Sequence, residues 1–100
     1  MVQKMTWMPE AVNTYMQVID YLEKEWTEKE IEKFAGKVIQ KLAALQIHPR
    51  IGGPINKQRN VYKTIIHKRV ILIYRYKPLK KEIELLSFWN TWQNPRRHKL

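Results

Sequence analysis

The sequence predicts an α+β fold: a short N-terminal strand, an antiparallel helical hairpin, and a small antiparallel β-meander on which the hairpin packs. Three observations predict it. Val70 to Tyr76 carries apolar or aromatic residues on both of its alternating sets of positions, which is the pattern of a central strand. Two stretches of helical periodicity, meeting at Thr27, come before it. Two more strand-like runs, Val61 to His67 and Glu82 to Trp89, flank it across connections short enough for hairpins. With 100 residues, 44% of them hydrophobic, the chain is expected to form one domain over residues 1–100 around a single core.

Val2 to Thr6 reads as a short first strand, after which Trp7 to Pro9 turns into a helix. Pro9 suits a first helical turn, where no internal N–H bond is lost, and Glu10 complements the positive end of the dipole. Val12, Tyr15, Ile19, Leu22 and Trp26 follow at steps of three and four, with Ala11 and Val18 widening the stripe, so this helix runs to about Glu25. Thr27-Glu28-Lys29-Glu30 is a capping box, with Trp26 and Ile31 at its staple positions. It starts a second helix whose inner stripe is Ile31, Phe34, Ala35, Val38, Leu42 and Leu45. Pro49 ends that helix by about Ile47.

His48 to Asn60 holds two prolines and a Gly-Gly pair and reads as loop. It lacks the glycine spacing and the Lys-Ser/Thr that a phosphate cradle needs. Arg59 and Asn60 stand at the entrance to the meander. In its central strand Val70, Leu72, Tyr74 and Tyr76 form one face, and Ile71, Ile73, Arg75 and Lys77 the other. One face is closed and the other begins greasy and ends cationic. By the same alternation Trp89 shares a face with Ile83 and Leu85 and is assigned to the core. Asn90 to Leu100 is a polar, basic tail that includes Trp92.

The net charge of +10 is unevenly placed: residues 1–48 hold six Lys/Arg against seven Asp/Glu, and residues 49–100 hold thirteen against two. Such asymmetry implies attraction to a polyanion or an acidic protein partner on one side of the molecule. There is no cysteine, so disulfides and thiolate metal sites are excluded. With no signal-like run and no apolar stretch of membrane-spanning length, a soluble cytoplasmic protein without membrane contact is expected.

Catalytic groupings are scarce. Glu82 and Glu84 share a strand face and read as solvated charges that pair with neighbouring lysines. The histidines His48, His67 and His98 have no metal-ligand spacing, and neither a metal nor a cofactor is expected. A cationic and aromatic surface remains: Lys63, His67 and Arg75 as catalytic candidates, and Arg59, Trp92, Arg96 and Arg97 as contacts for a partner or a nucleic acid, with Tyr62 and His98 nearby. Lysine and arginine can stabilise a developing phosphorane and histidine can move a proton, while the same groups serve plain phosphate contact or docking to an acidic peptide.

The order of elements, together with W-x-P-E-A at Trp7 to Ala11, D-Y-L at Asp20 to Leu22, P-x-x-G at Pro49 to Gly52, I-x-Y-R-Y ending at Tyr76 and F-W-x-x-x-Q-N-P at Phe88 to Pro95, resembles the RelE/ParE toxins of type II toxin-antitoxin modules. The resemblance spans essentially the whole chain. It implies a bacterial cytoplasmic toxin of plasmid-stabilisation type, held with an acidic cognate antitoxin as a hetero-oligomer. RelE-type members cleave messenger RNA on the ribosome with basic residues on the open sheet face and a C-terminal Arg and Tyr. Lys63 matches one of these basic positions, but Ile65, Ile71 and Thr91 stand near others, and no tyrosine follows Tyr76. ParE-type members poison DNA gyrase by binding, and the sequence leans to that class. The alternatives are a RelE-like endonuclease with an atypical basic set and a small basic binding domain without toxicity.

Overall fold

The computed structural model describes residues 3–67 and 70–91. Its elements are β1 (Lys4–Trp7), α1 (Pro9–Glu25), α2 (Glu28–Ile47), β2 (Gly53–Asn56), β3 (Val61–His67), β4 (Val70–Lys77) and β5 (Glu82–Asn90), with a single 3-10 turn at Pro78–Lys80. The five strands form one mixed sheet in the order β1-β5-β4-β3-β2. Three of the four pairings are antiparallel, whereas β1 lies parallel to β5. The α+β fold and the meander stand as expected, enlarged by an edge strand on each side.

Both helices begin where the sequence places them. Pro9 opens α1, and at α2 the Thr27 side chain accepts from the Glu30 N–H while the Glu30 carboxylate accepts from the Thr27 N–H. This reciprocal cap satisfies two otherwise orphaned donors and is worth about 1 kcal/mol. The buried line of α1 is Ala11, Val18 and Leu22, and that of α2 is Phe34, Val38 and Leu45. Val12, read as part of the inner stripe, is 46% exposed, because the burial axis lies nearer Ala11. Against these helices the sheet buries Tyr62, Leu72, Tyr74, Ile83, Leu85 and Phe88. A chain of rings joins the layers: Trp7 lies 5.4 Å from Phe88, Tyr15 5.1 Å from Phe88, and Tyr15 6.3 Å from Phe34. Each such pair adds about 0.5–1.5 kcal/mol beyond its area.

Several sequence readings are corrected here. The first strand is Lys4–Trp7, so Trp7 is extended rather than part of a turn. The segment read as loop contains β2, whose Pro54 is tolerated because the strand lies at the sheet edge. Leu86 has no register partner on β4, since Ile73 faces Ser87 and Tyr74 faces Leu85. Past this bulge the alternation reverses. Phe88 turns to the helices in place of Trp89, which stands across from Ile71 on the other face. Tyr62, placed near the cationic surface by the sequence, is buried and stacked on Tyr74 at 5.5 Å.

Gly52 marks the closest approach of the loop to the sheet. Its N–H donates to the Tyr74 hydroxyl at 3.0 Å, and a Cβ there would lie 2.6 Å from the Lys63 carbonyl oxygen and 2.7 Å from that hydroxyl. Gly36, inside α2, has nothing within 4 Å of where its Cβ would stand. The two glycines therefore respond oppositely to alanine. Gly52→Ala is expected to cost about 1–3 kcal/mol through forced backbone displacement, and Gly36→Ala to gain about 0.5–1 kcal/mol from helix propensity. Thermal melts of the two variants, read against the wild type, check both signs.

Candidate functional site

The sheet face turned away from the helices is built in rows fixed by register. Ile65, Ile71 and Trp89 form one row across β3, β4 and β5; Lys63, Ile73 and Ser87 form the next; Val61, Arg75 and Glu84 form the third; Lys77 and Glu82 form the last. The face is greasy at one end and charged at the other, as the alternation of β4 predicts. Its greasy end is partly open, with Ile65 61% exposed.

At the charged end the cations are already engaged. Arg75 lies 3.5 Å and Lys77 2.9 Å from the two oxygens of the Glu84 carboxylate, which is largely buried. Glu84 is thus a clamp between two cations rather than the solvated charge read from the sequence. Its neighbour Glu82 accepts from the Thr6 hydroxyl at 2.6 Å. That hydrogen bond, and after it the charges of Lys4, Lys77 and Lys80, hold the Glu82 carboxyl below the usual carboxylate range, against the opposing effect of desolvation.

The structure divides the three catalytic candidates. Ile65 faces Ile71 and His67 faces Val70, so Ile66 is an extra residue and both Ile66 and His67 turn toward the helices. The His67 ring packs 5.3 Å from Trp26 and 6.3 Å from Phe34, and its Nδ1 lies 2.8 Å from Lys37 Nζ. An ammonium can only donate, so in this pair Nδ1 accepts. His67 is therefore on the opposite side of the sheet from Lys63 and Arg75. Lys63 is exposed between Gly53 and Ile73, with isoleucines in the neighbouring row.

Arg59 is exposed on the turn between β2 and β3, its N–H bonded to the Asn56 side chain at 3.1 Å. Asn60, with φ 55°, completes the turn, and its carbonyl accepts the Tyr76 N–H at 3.0 Å. Trp92, Arg96, Arg97 and His98 lie outside the described residues. Two features escaped the sequence reading. The first is a hollow of about 430 Å³ lined by Lys41, Ile51, Gly52, Lys63, Ile65 and Ile71, among others. It adjoins the half of β3, Thr64 to His67, that β2 does not cover, because β2 pairs only with Val61 to Lys63. The second is Leu79, whose place between lysines on a Pro-Leu turn was a signal available in the sequence.

Among the described residues no helix is long and apolar enough to cross a membrane. The chain matches the family model for the ParE toxin of type II toxin-antitoxin system, parDE, over residues 5–95. Among solved structures it is similar to a mutant of the E. coli toxin RelE, with two arginines replaced by alanine, in the free state, with a TM-score of 0.63 and 14% identity, covering 95% of this chain and 90% of that one. It is also similar to a chain of the RelBE2 toxin-antitoxin complex from Mycobacterium tuberculosis, with a TM-score of 0.57 and 12% identity, covering 90% and 99%. At these identities the likeness shows the fold. No curated protein matches the chain significantly.

The Glu82 carboxyl gives a pH test of the charged end. A carboxyl whose folded pKa is depressed stabilises the fold above its unfolded pKa, and the contribution is lost as pH falls through the folded value. Thr6→Val removes the main cause of the depression. Its melting temperature should fall below the wild type's at neutral pH, with the gap closing as acid protonates Glu82. A gap unchanged across the carboxylate range contradicts the assignment.

Proposed function

The chain belongs to the ParE toxin family of type II toxin-antitoxin systems, and from that premise we propose that it arrests growth by binding DNA gyrase, without cutting nucleic acid, until an acidic antitoxin covers it. The observation that carries this reading is the separation of the candidate cations. Transfer at a phosphate in such a site depends on several donors converging on one group and strengthening in the transition state. Here His67 packs on the helix side, Arg75 is engaged by Glu84, and Lys63 faces a row of isoleucines. Loss of a single donor of this kind already costs on the order of a hundredfold in rate. A binding toxin needs no such convergence, and an apolar row of Ile65, Ile71 and Trp89 suits contact with a protein.

The antitoxin reading draws support from the uncovered half of β3. Past Lys63 the edge of β3 is no longer paired by β2 and suits an extended segment, and the adjoining hollow offers Ile51, Ile65 and Ile71 to its apolar side chains. Lys41 and Lys63 on the same rim suit its acids. Held there, the segment would also hide the greasy end of the open face.

Purified protein assayed side by side on gyrase and on translating ribosomes tests the mechanism. Inhibited supercoiling or trapped gyrase–DNA cleavage complexes, with messenger RNA left intact, is the expected result. Ribosome-dependent cleavage that disappears in Lys63→Ala or Arg75→Ala would establish the endonuclease alternative instead. Activity on neither target would leave a basic binding domain.

A further inference from the structure

At the end of the sheet away from that β3 edge, two turns meet around a second hollow of about 350 Å³, lined by Arg59, Arg75, Lys77, Pro78, Leu79 and Lys80, among others. Both turns are fixed by backbone bonds. The Asn60 carbonyl takes the Tyr76 N–H at 3.0 Å, and Lys81, in the left-handed region at φ 50°, donates its N–H to the Pro78 carbonyl at 3.2 Å. On this rigid rim Leu79 is 99% exposed. An isolated exposed leucine needs no explanation, but one that lines the same hollow as four cations does.

Charge identifies what fits. Besides the four cations of the wall, Lys57 and Lys81 stand on the same two turns, and the carboxylates on this part of the sheet are Glu82 and Glu84. Glu84 is engaged by Arg75 and Lys77, and Glu82 by the Thr6 hydroxyl and, at longer range, by the charges of Lys4, Lys77 and Lys80. Among the described residues no carboxylate comes within ion-pair distance of Arg59 or Lys80. A nucleic acid would use the cations but would leave Leu79 and Pro78 unmatched, since the one aromatic in the wall, Tyr76, is buried and offers no free face for a base to stack on. An acidic peptide with one aliphatic side chain uses both halves of the surface.

We propose that this turn end is a docking site for an acidic segment of a partner protein, its carboxylates on Arg59 and Lys80 and an aliphatic side chain against Leu79 and Pro78. The site is separate from the β3 edge and does not depend on which target the toxin arrests, so failure of the gyrase assay leaves it intact. The anchor supplies most of the affinity, and the rim charges mainly speed encounter.

The probe is a synthetic peptide of Asp and Glu around one central Leu, titrated into isotope-labelled protein and followed by amide shifts and by fluorescence anisotropy. Shifts confined to residues 57–60 and 77–81 are expected, with Leu79→Ser and Arg59→Glu each weakening binding by about tenfold. Their melting temperatures should match the wild type, since both side chains are exposed. A peptide with Ser for the central Leu should be comparably weak. Shifts spread over the whole basic half, indifference to the Leu79 change, or equal binding of the Ser peptide would overturn the proposal. Displacement of the peptide by an equal concentration of a single-stranded oligonucleotide of the same charge would overturn it in favour of phosphate recognition.

Discussion

Strand β5 has to satisfy two different neighbours along one edge, and much of the molecule follows from how it does so. Its first half, Glu82 to Leu85, is paired by β1, and the ladder closes where the Met8 N–H reaches the Leu85 carbonyl at 3.1 Å. Past that point β1 no longer pairs the strand, and the Phe88 N–H needs another acceptor. The Thr14 hydroxyl, projecting from α1, accepts from it at 2.8 Å and itself donates to the Glu10 backbone carbonyl at 2.7 Å. One helix hydroxyl thus continues what the strand leaves unfinished, and leaving that amide unmade would cost about 1–3 kcal/mol. The same hydrogen bond locks α1 over the bulge and seats Phe88 among Trp7 and Tyr15.

From the bulge comes the character of the open face. Because the alternation of β5 reverses at Leu86, Trp89 joins Ile71 and Ile65 rather than the core, and Glu84 stays beside Arg75 and Lys77. A chain with strong positive charge therefore presents, at the middle of its sheet, a surface that is apolar at one end and internally neutralised at the other. Arg59 and Lys80 stand apart from it, on the turns.

The helices and the meander were legible because each carries a strong local signal: the capping box at Thr27, the prolines at Pro9 and Pro49, and the doubly apolar run of β4. What could not be read was mostly a matter of parity. The bulges at Ile66 and Leu86 insert one residue each with no glycine or proline to mark them, and everything beyond is assigned to the wrong side: His67 in one case, Trp89 in the other. Strand β2 was hidden for a different reason, since Gly53, Pro54 and Asn56 are poor strand formers that hold only because β3 supplies a template. Pairing of Glu84 with lysine was expected from its strand position, but its burial between Arg75 and Lys77 depends on cross-strand register, which the sequence does not show.

The parallel pairing of the first strand with the last has a consequence for how the chain is made. Thr6 and Glu82, hydrogen-bonded to each other, are separated by 76 residues. During synthesis β1 finds no strand to join until β5 has been made, because β5 is its sheet neighbour among the described residues. Contacts of this separation form late, and domains of such topology close as a unit rather than from the N-terminus forward. The finished sheet exists only after β5 has left the ribosome. A toxin built in this order presents its sheet face only when β5 joins β1 and β4.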